Sequence, residues 1–184
     1  MDILTIIYVV VGVVFLWLVF TYNRLVRMRF RAKEAISDID VQTKRRYDLI
    51  PNLVETVKGY MQHEKSVLEN VTAARAAVAG GGDPLANAEK ENILSSTLKT
   101  LFAVAENYPD LKANANFLDL QRELADTENK IQASRRFYNT TVRDLNTAIQ
   151  TFPTNLIAGL LRFKEMKFFE TEKAEEKEPV KVEF

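Results

Sequence analysis

The sequence predicts an all-α protein in which an N-terminal transmembrane helix continues into a long antiparallel four-helix bundle. Three observations predict it. From Ile3 to Phe20 only Thr5 and Gly12 are not apolar and no residue is charged. A spacing of alternating three and four residues runs from Phe117 to Phe152. Four of the 5 prolines and three of the 6 glycines fall where helical patterns also break, as helix punctuation does. The 184 residues suit one core with an appendage. The expected division is an anchor over 1–22, a bundle over 23–162, and an apolar-then-charged tail over 163–184, disordered from Glu170 onward.

The first element is the anchor. About 18–20 apolar residues at 1.5 Å each cross a hydrocarbon layer of ~30 Å. Trp17 and Tyr22 stand toward its far end, where amphipathic rings favour the headgroup level. A cleaved signal peptide would open with a basic segment and close on small residues, whereas this chain opens Met-Asp and the run closes Val-Phe-Thr-Tyr. Arg24, Arg27, Arg29, Arg31 and Lys33 follow directly, so the positive-inside rule puts the body on the cytoplasmic face of the inner membrane. These cations, with Trp17 and Tyr22, are the candidate lipid contacts.

The same helix is expected to run through Leu25, Met28, Ala32, Ile36, Ile39 and Thr43 to about Tyr47. A second would start with Asp48 as cap and Pro51 in its first turn, bury Leu53, Val57, Met61, Leu68, Val71 and Val78, and end at Gly80-Gly81-Gly82. The joint between them concentrates Asp40, Lys44, Arg45, Arg46, Asp48, Asn52 and Glu55, with Asp40 and Lys44 at ion-pair spacing. It reads as a capped, salt-bridged corner or a partner-docking site. Glu64 falls on or beside the apolar face and calls for a partner such as an arginine from a neighbouring helix. Asp83-Pro84 starts a third helix with Leu94, Leu98, Leu101 and Ala105 as its stripe, ending at Asn107-Tyr108-Pro109. A fourth begins near Asn114 or Asn116, its seam alternating large residues with the polar row Thr127, Ser134 and Thr141.

Beyond the bundle, Leu156, Ile157, Leu160, Leu161 and Phe163 gather apolar surface that would dock under the bundle, touch the membrane interface, or pack against another copy.

Composition excludes much chemistry. There is no cysteine and 1 histidine, so thiolate catalysis and Cys-ligated metals are absent, and His63 cannot supply the paired histidines of a di-metal bundle. A net charge of +0 removes the basic balance of a general nucleic-acid binder, and Arg135-Arg136-Phe137-Tyr138 reads as core plus solvated face. The glycine run lacks the lysine and preceding strand of a phosphate loop. No enzyme, no cofactor and no small-molecule substrate are expected. The expected partners are membrane lipids, further copies of the chain, and other membrane proteins.

Tyr22-Asn-Arg-Leu-Val, the run from Ile39 to Tyr60, Tyr108 to Gln121, Thr127-Glu-Asn-Lys-Ile and Phe152-Pro-Thr-Asn-Leu-Ile-Ala together closely resemble the LemA family. The resemblance spans nearly everything from Tyr22 to Phe169. It implies a single-pass membrane protein with a four-helix bundle, a role in membrane organisation or scaffolding, and no established enzymatic activity. It marks Arg45, Arg46, Asp48, Pro51, Asn52, Glu55, Lys112, Asn114, Asn116, Glu128, Asn129, Tyr138 and Asn139 as signature positions.

Overall fold

The computed structural model describes residues 2–80 and 82–169. Among them are six helices and no strand: α1 Ile3–Lys58, α2 Lys65–Val78, α3 Ala88–Ala105, α4 Pro109–Lys112, α5 Ala115–Gln150 and α6 Thr154–Leu160. The predicted all-helical class holds. The expected disorder of Glu170 to Phe184 concerns residues outside those described.

One expectation is corrected at α1. The first helix does not stop near Tyr47; it continues unbroken through Pro51 to Lys58. An interior proline removes the hydrogen bond from its own nitrogen to the carbonyl four residues earlier, here Tyr47. The Arg75 Nε of α2 donates to that carbonyl instead, at 3.1 Å, with its guanidinium 3.8 Å from the Tyr47 ring centre. The helix ends at Gly59, where the Tyr60 and Met61 amides both donate to the Val57 carbonyl and Met61 turns into the core. The expected second helix is therefore the last part of α1, a turn at 59–64, and α2.

The described residues divide into two compact units, one of 2–37 with 134–168, the other of residues from 38 to 133 with Phe169. In the second, α1, α2, α3 and α5 surround a core that includes Ile50, Leu53, Val57, Val71, Leu94, Leu98, Leu101, Phe117 and Leu124. The stripe expected for α3 is buried throughout. Its start is later than expected. The Asp83 side chain accepts from the Leu85 amide at 3.0 Å and its carbonyl accepts from Ala86 and Asn87, so Asp83-Pro84 makes a turn and α3 begins at Ala88. Asn114 caps α5, its Oδ1 accepting from the Phe117 amide at 3.1 Å.

In the first unit, Leu25 of α1, Leu145 and Ala148 of α5, and Ala158 of α6 form a small core, flanked by Met28, Ile149, Phe163 and Met166. The segment after α6 lies along α5 by specific bonds. Tyr138 donates to the Lys167 carbonyl at 2.8 Å, and the Asn146 amide group both donates to and accepts from the Met166 backbone. The α5 seam is buried or half-buried from Phe117 to Ala148, but Phe152, beyond the helix end, is exposed.

Candidate functional site: a buried arginine and an apolar helix end

Arg46 is fully buried, at a core position of α1 one turn before Ile50. Its fork reaches two other helices. Nη2 pairs with the Glu91 carboxylate of α3 and also donates to the Glu91 carbonyl at 3.3 Å, while Nη1 pairs with Glu128 of α5 and donates to Ser95 of α3. Ser95 in turn donates to Glu128 at 3.0 Å, and Gln132 donates to the other Glu128 oxygen at 3.2 Å. Burial works to raise the Glu128 pKa; the Arg46 charge and the bonds from Gln132, Ser95 and Arg46 outweigh it, so the carboxyl is held below its ordinary value. Two carboxylates against one guanidinium leave the cluster formally one negative charge. Arg46 Nε and, one turn earlier, Gln42 Oε1 are buried without a hydrogen-bond partner. Chemically the cluster is a three-helix clamp that fixes register, since a planar fork satisfies two carboxylates in one geometry only.

The remaining residues of the expected corner are not brought together. Because α1 is continuous there is no corner, and helical rotation carries Asp40, Lys44, Asp48, Asn52 and Glu55 to exposed positions. Asp40 and Lys44 form no ion pair with each other, and among the described residues Arg45 pairs with Glu123 alone, at 3.9 Å and half in solvent. Glu64 takes a phenol where an arginine was expected: Tyr108 donates to it at 3.4 Å. Partial burial, then the Glu64 charge and that hydrogen bond, raise the Tyr108 pKa. Asn114 donates to the Tyr60 hydroxyl at 3.0 Å, so the turn is held at both ends. Thr127 and Thr141, of the polar seam row, donate to carbonyls one turn back in their own helix. Among the described residues no group of three or more acidic or histidine side chains converges to hold a metal.

Glu91, Ser95, Gln132 and Arg75 were not singled out from sequence. One signal pointed to a need for carboxylates, though not to which residues supply them. Carrying the three-four spacing of Leu25, Met28, Ala32 and Ile39 onward puts Arg46 in the seam, and a charge there demands carboxylates from facing helices.

At the other end, Ile3–Phe20 is exposed along its whole length, and α1 is long and apolar enough there to cross a membrane. Arg24, Arg27, Arg29, Arg31 and Lys33 are all exposed. The gathered C-terminal residues separate: Ile157 is buried and Phe163 half-buried, its ring edge-on to Tyr22 at 6.3 Å, while Leu156, Leu160 and Leu161 are exposed.

Fold and site thus define a helical protein with an ion-paired core and a long apolar N-terminal helix. Residues 35–184 match the family model of the LemA family, and the chain belongs to that family. It is 28% identical over 166 residues to Protein LemA of Metamycoplasma hominis, covering 90% of this chain and 76% of that one. It is 24% identical over 178 residues to Magnetosome protein MamQ of Magnetospirillum gryphiswaldense, covering 83% of this chain and 65% of the relative, just under two-thirds of its length. Magnetosome protein MamQ 2 of Paramagnetospirillum magneticum is 24% identical over 183 residues, covering 85% of this chain and 67% of that one.

Proposed function

We propose that this protein is a non-enzymatic scaffold anchored in the inner membrane by Ile3–Phe20, with an antiparallel four-helix bundle on the cytoplasmic side that self-assembles or recruits other membrane proteins. The observation that supports it most is that the uncharged apolar stretch runs, without a linker, into the same helix that contributes Arg46, Ile50, Leu53 and Val57 to the core. A continuous helix in place of a flexible linker suits a scaffold better than a tethered enzyme. The buried arginine cluster supports a structural use of charge, because its fork is closed on Glu91, Glu128 and Ser95. Orientation rests on the five cations that follow the apolar stretch. Full-length protein in mild detergent, sized by light scattering and imaged by electron microscopy, should form discrete particles of several copies or retain copurifying membrane proteins. A bare monomer would remove the scaffold reading.

A second reading has its own support. Arg24, Arg27, Arg29 and Arg31 make no ion pair with any described residue and are exposed, as a surface for anionic headgroups would be. Binding to anionic vesicles that weakens with salt and is lost on reversing these charges would favour lipid recognition over scaffolding.

A further inference from the structure

We propose that α6 and the turn before it form a second membrane contact: their exposed apolar ridge, Phe152 of the turn with Leu156 and Leu160 of α6, inserts into the headgroup boundary of the same bilayer that the N-terminal helix spans. The inference rests on the anchor reading and adds a surface to it. Leu156 and Leu160 are four apart in α6 and so share one face, and Phe152 stands open in the turn before the helix; their exposures of 64%, 82% and 75% contrast with buried Ile157 and Ala158 on the other face of α6. From Leu145 to Leu161 no residue is charged, in a chain where 27% are. Arg162, Lys164 and Lys167 then follow, with Glu165 among them, a net of +2 over 162–167.

Position fixes the occupant. Ala158 packs with Leu25, and Phe163 meets Tyr22. Thr21, the first residue after the apolar stretch, is 7% exposed although Phe20 and Tyr22 beside it are open. Leu25 lies five residues past Phe20, about 7.5 Å along the axis at the α-helical rise. The headgroup layer outside each face of the ~30 Å hydrocarbon core is about 5–8 Å deep. The contact level of α6 is therefore the interface itself. An apolar ridge with cations at its edges matches that layer, apolar toward the acyl chains and anionic at the phosphates. A groove of about 420 Å³ continues the same chemistry, with Val26, Phe30 and Leu161 beside Arg29 and Lys33. A second copy fits less well, because a ridge of three side chains is far short of the roughly 20–30 residues a side of a stable protein interface.

The chain's 1 tryptophan, Trp17, provides an internal reference. The full-length protein would be reconstituted into vesicles of phosphatidylcholine and phosphatidylglycerol brominated at shallow or deep acyl positions. Native Trp17 reports the anchor; Leu160→Trp and, separately, Phe152→Trp, each in a Trp17→Phe background, report the two ends of the ridge, so a local packing failure at one leaves the other. The expected result is quenching of Trp17 together with blue-shifted emission from both ridge probes that shallow bromine quenches more than deep bromine, as an insertion depth of about 5–10 Å requires. Ridge probes quenched by aqueous iodide and indifferent to bromolipid, with Trp17 quenched, would overturn the α6 proposal alone. Blue-shifted ridge probes that neither quencher reaches would overturn it in favour of a protein cover. An unquenched Trp17 would overturn the anchor and the ridge together.

Discussion

The two units use charge and apolar surface in opposite ways. In the second unit a guanidinium is fully buried and two carboxylates close on it. In the first, Phe152, Leu156 and Leu160 stand exposed on a segment without charge, while the cations of α1 nearby, Arg24 to Lys33, point to solvent. A buried ion pair usually contributes little against a hydrophobic replacement, yet removing one partner costs much. An apolar side chain left in water gains nothing until another apolar phase meets it. Among the described residues the second unit closes its buried charge on its own carboxylates, whereas the first leaves the apolar ridge at α6 open, as the proposed membrane contact would use it.

The contrast breaks most severely at Arg46. Arg46→Ala strands Glu91 and Glu128, half-hidden, without their cation, and should destabilise by about 3–5 kcal/mol, read from denaturant unfolding of the full-length protein in detergent. Arg46→Met with Glu91→Leu and Glu128→Leu should recover most of it. A loss under about 1 kcal/mol for Arg46→Ala would mean the cluster is solvated rather than closed.

Acid should act on the same cluster more gently. The folded Glu128 carboxyl titrates below its ordinary value of 4.5. Its stabilisation is therefore fully present above that value and is lost as pH falls through the lower folded one. Unfolding midpoints should drop on acidification through this range, and Glu128→Gln should flatten the drop while costing about 1–3 kcal/mol at neutral pH. An unchanged pH profile in Glu128→Gln would assign the acid sensitivity to other carboxylates.

What was legible in the sequence follows from which signals are local. The apolar stretch, the α3 stripe and the α5 seam are patterns within one helix, and all three appear where expected save for Phe152, which lies beyond the end of α5. The continuity of α1 through Pro51 is not legible locally, because the Tyr47 carbonyl that the proline leaves free is bonded by Arg75, 28 residues from Tyr47 in sequence. The Arg46 clamp needs Glu91 and Glu128, 45 and 82 residues distant, and no spacing rule links them. Tyr108 as the partner of Glu64 was equally hidden, since a turn rather than a helix presents that carboxylate.

The Pro51 account makes its own test. Arg75→Ala should leave the Tyr47 carbonyl without a partner and cost about 1–2 kcal/mol. Pro51→Ala restores an amide that can bond Tyr47 within α1, so the same Arg75→Ala made in Pro51→Ala should cost clearly less. Equal costs in the two backgrounds would show that stacking on the Tyr47 ring, not the carbonyl bond, is what Arg75 contributes.

The smallest effect is expected where α1 stops. A Cβ added at Gly59 meets nothing within 4 Å, and among the described glycines it is Gly82, not Gly59, that has a positive φ, +114°. Gly59 therefore does not end the helix through a conformation that other residues avoid. The end is set instead by Met61 entering the core and by Asn114 and Tyr108 bonding Tyr60 and Glu64. On that account Gly59→Ala removes freedom from the unfolded chain without straining the folded one, and should stabilise by about 0.4–1 kcal/mol. Destabilisation of similar size would instead place the stop signal in Gly59 itself. Tyr60→Phe separates the two, because it deletes the hydroxyl that Asn114 bonds while leaving the glycine in place.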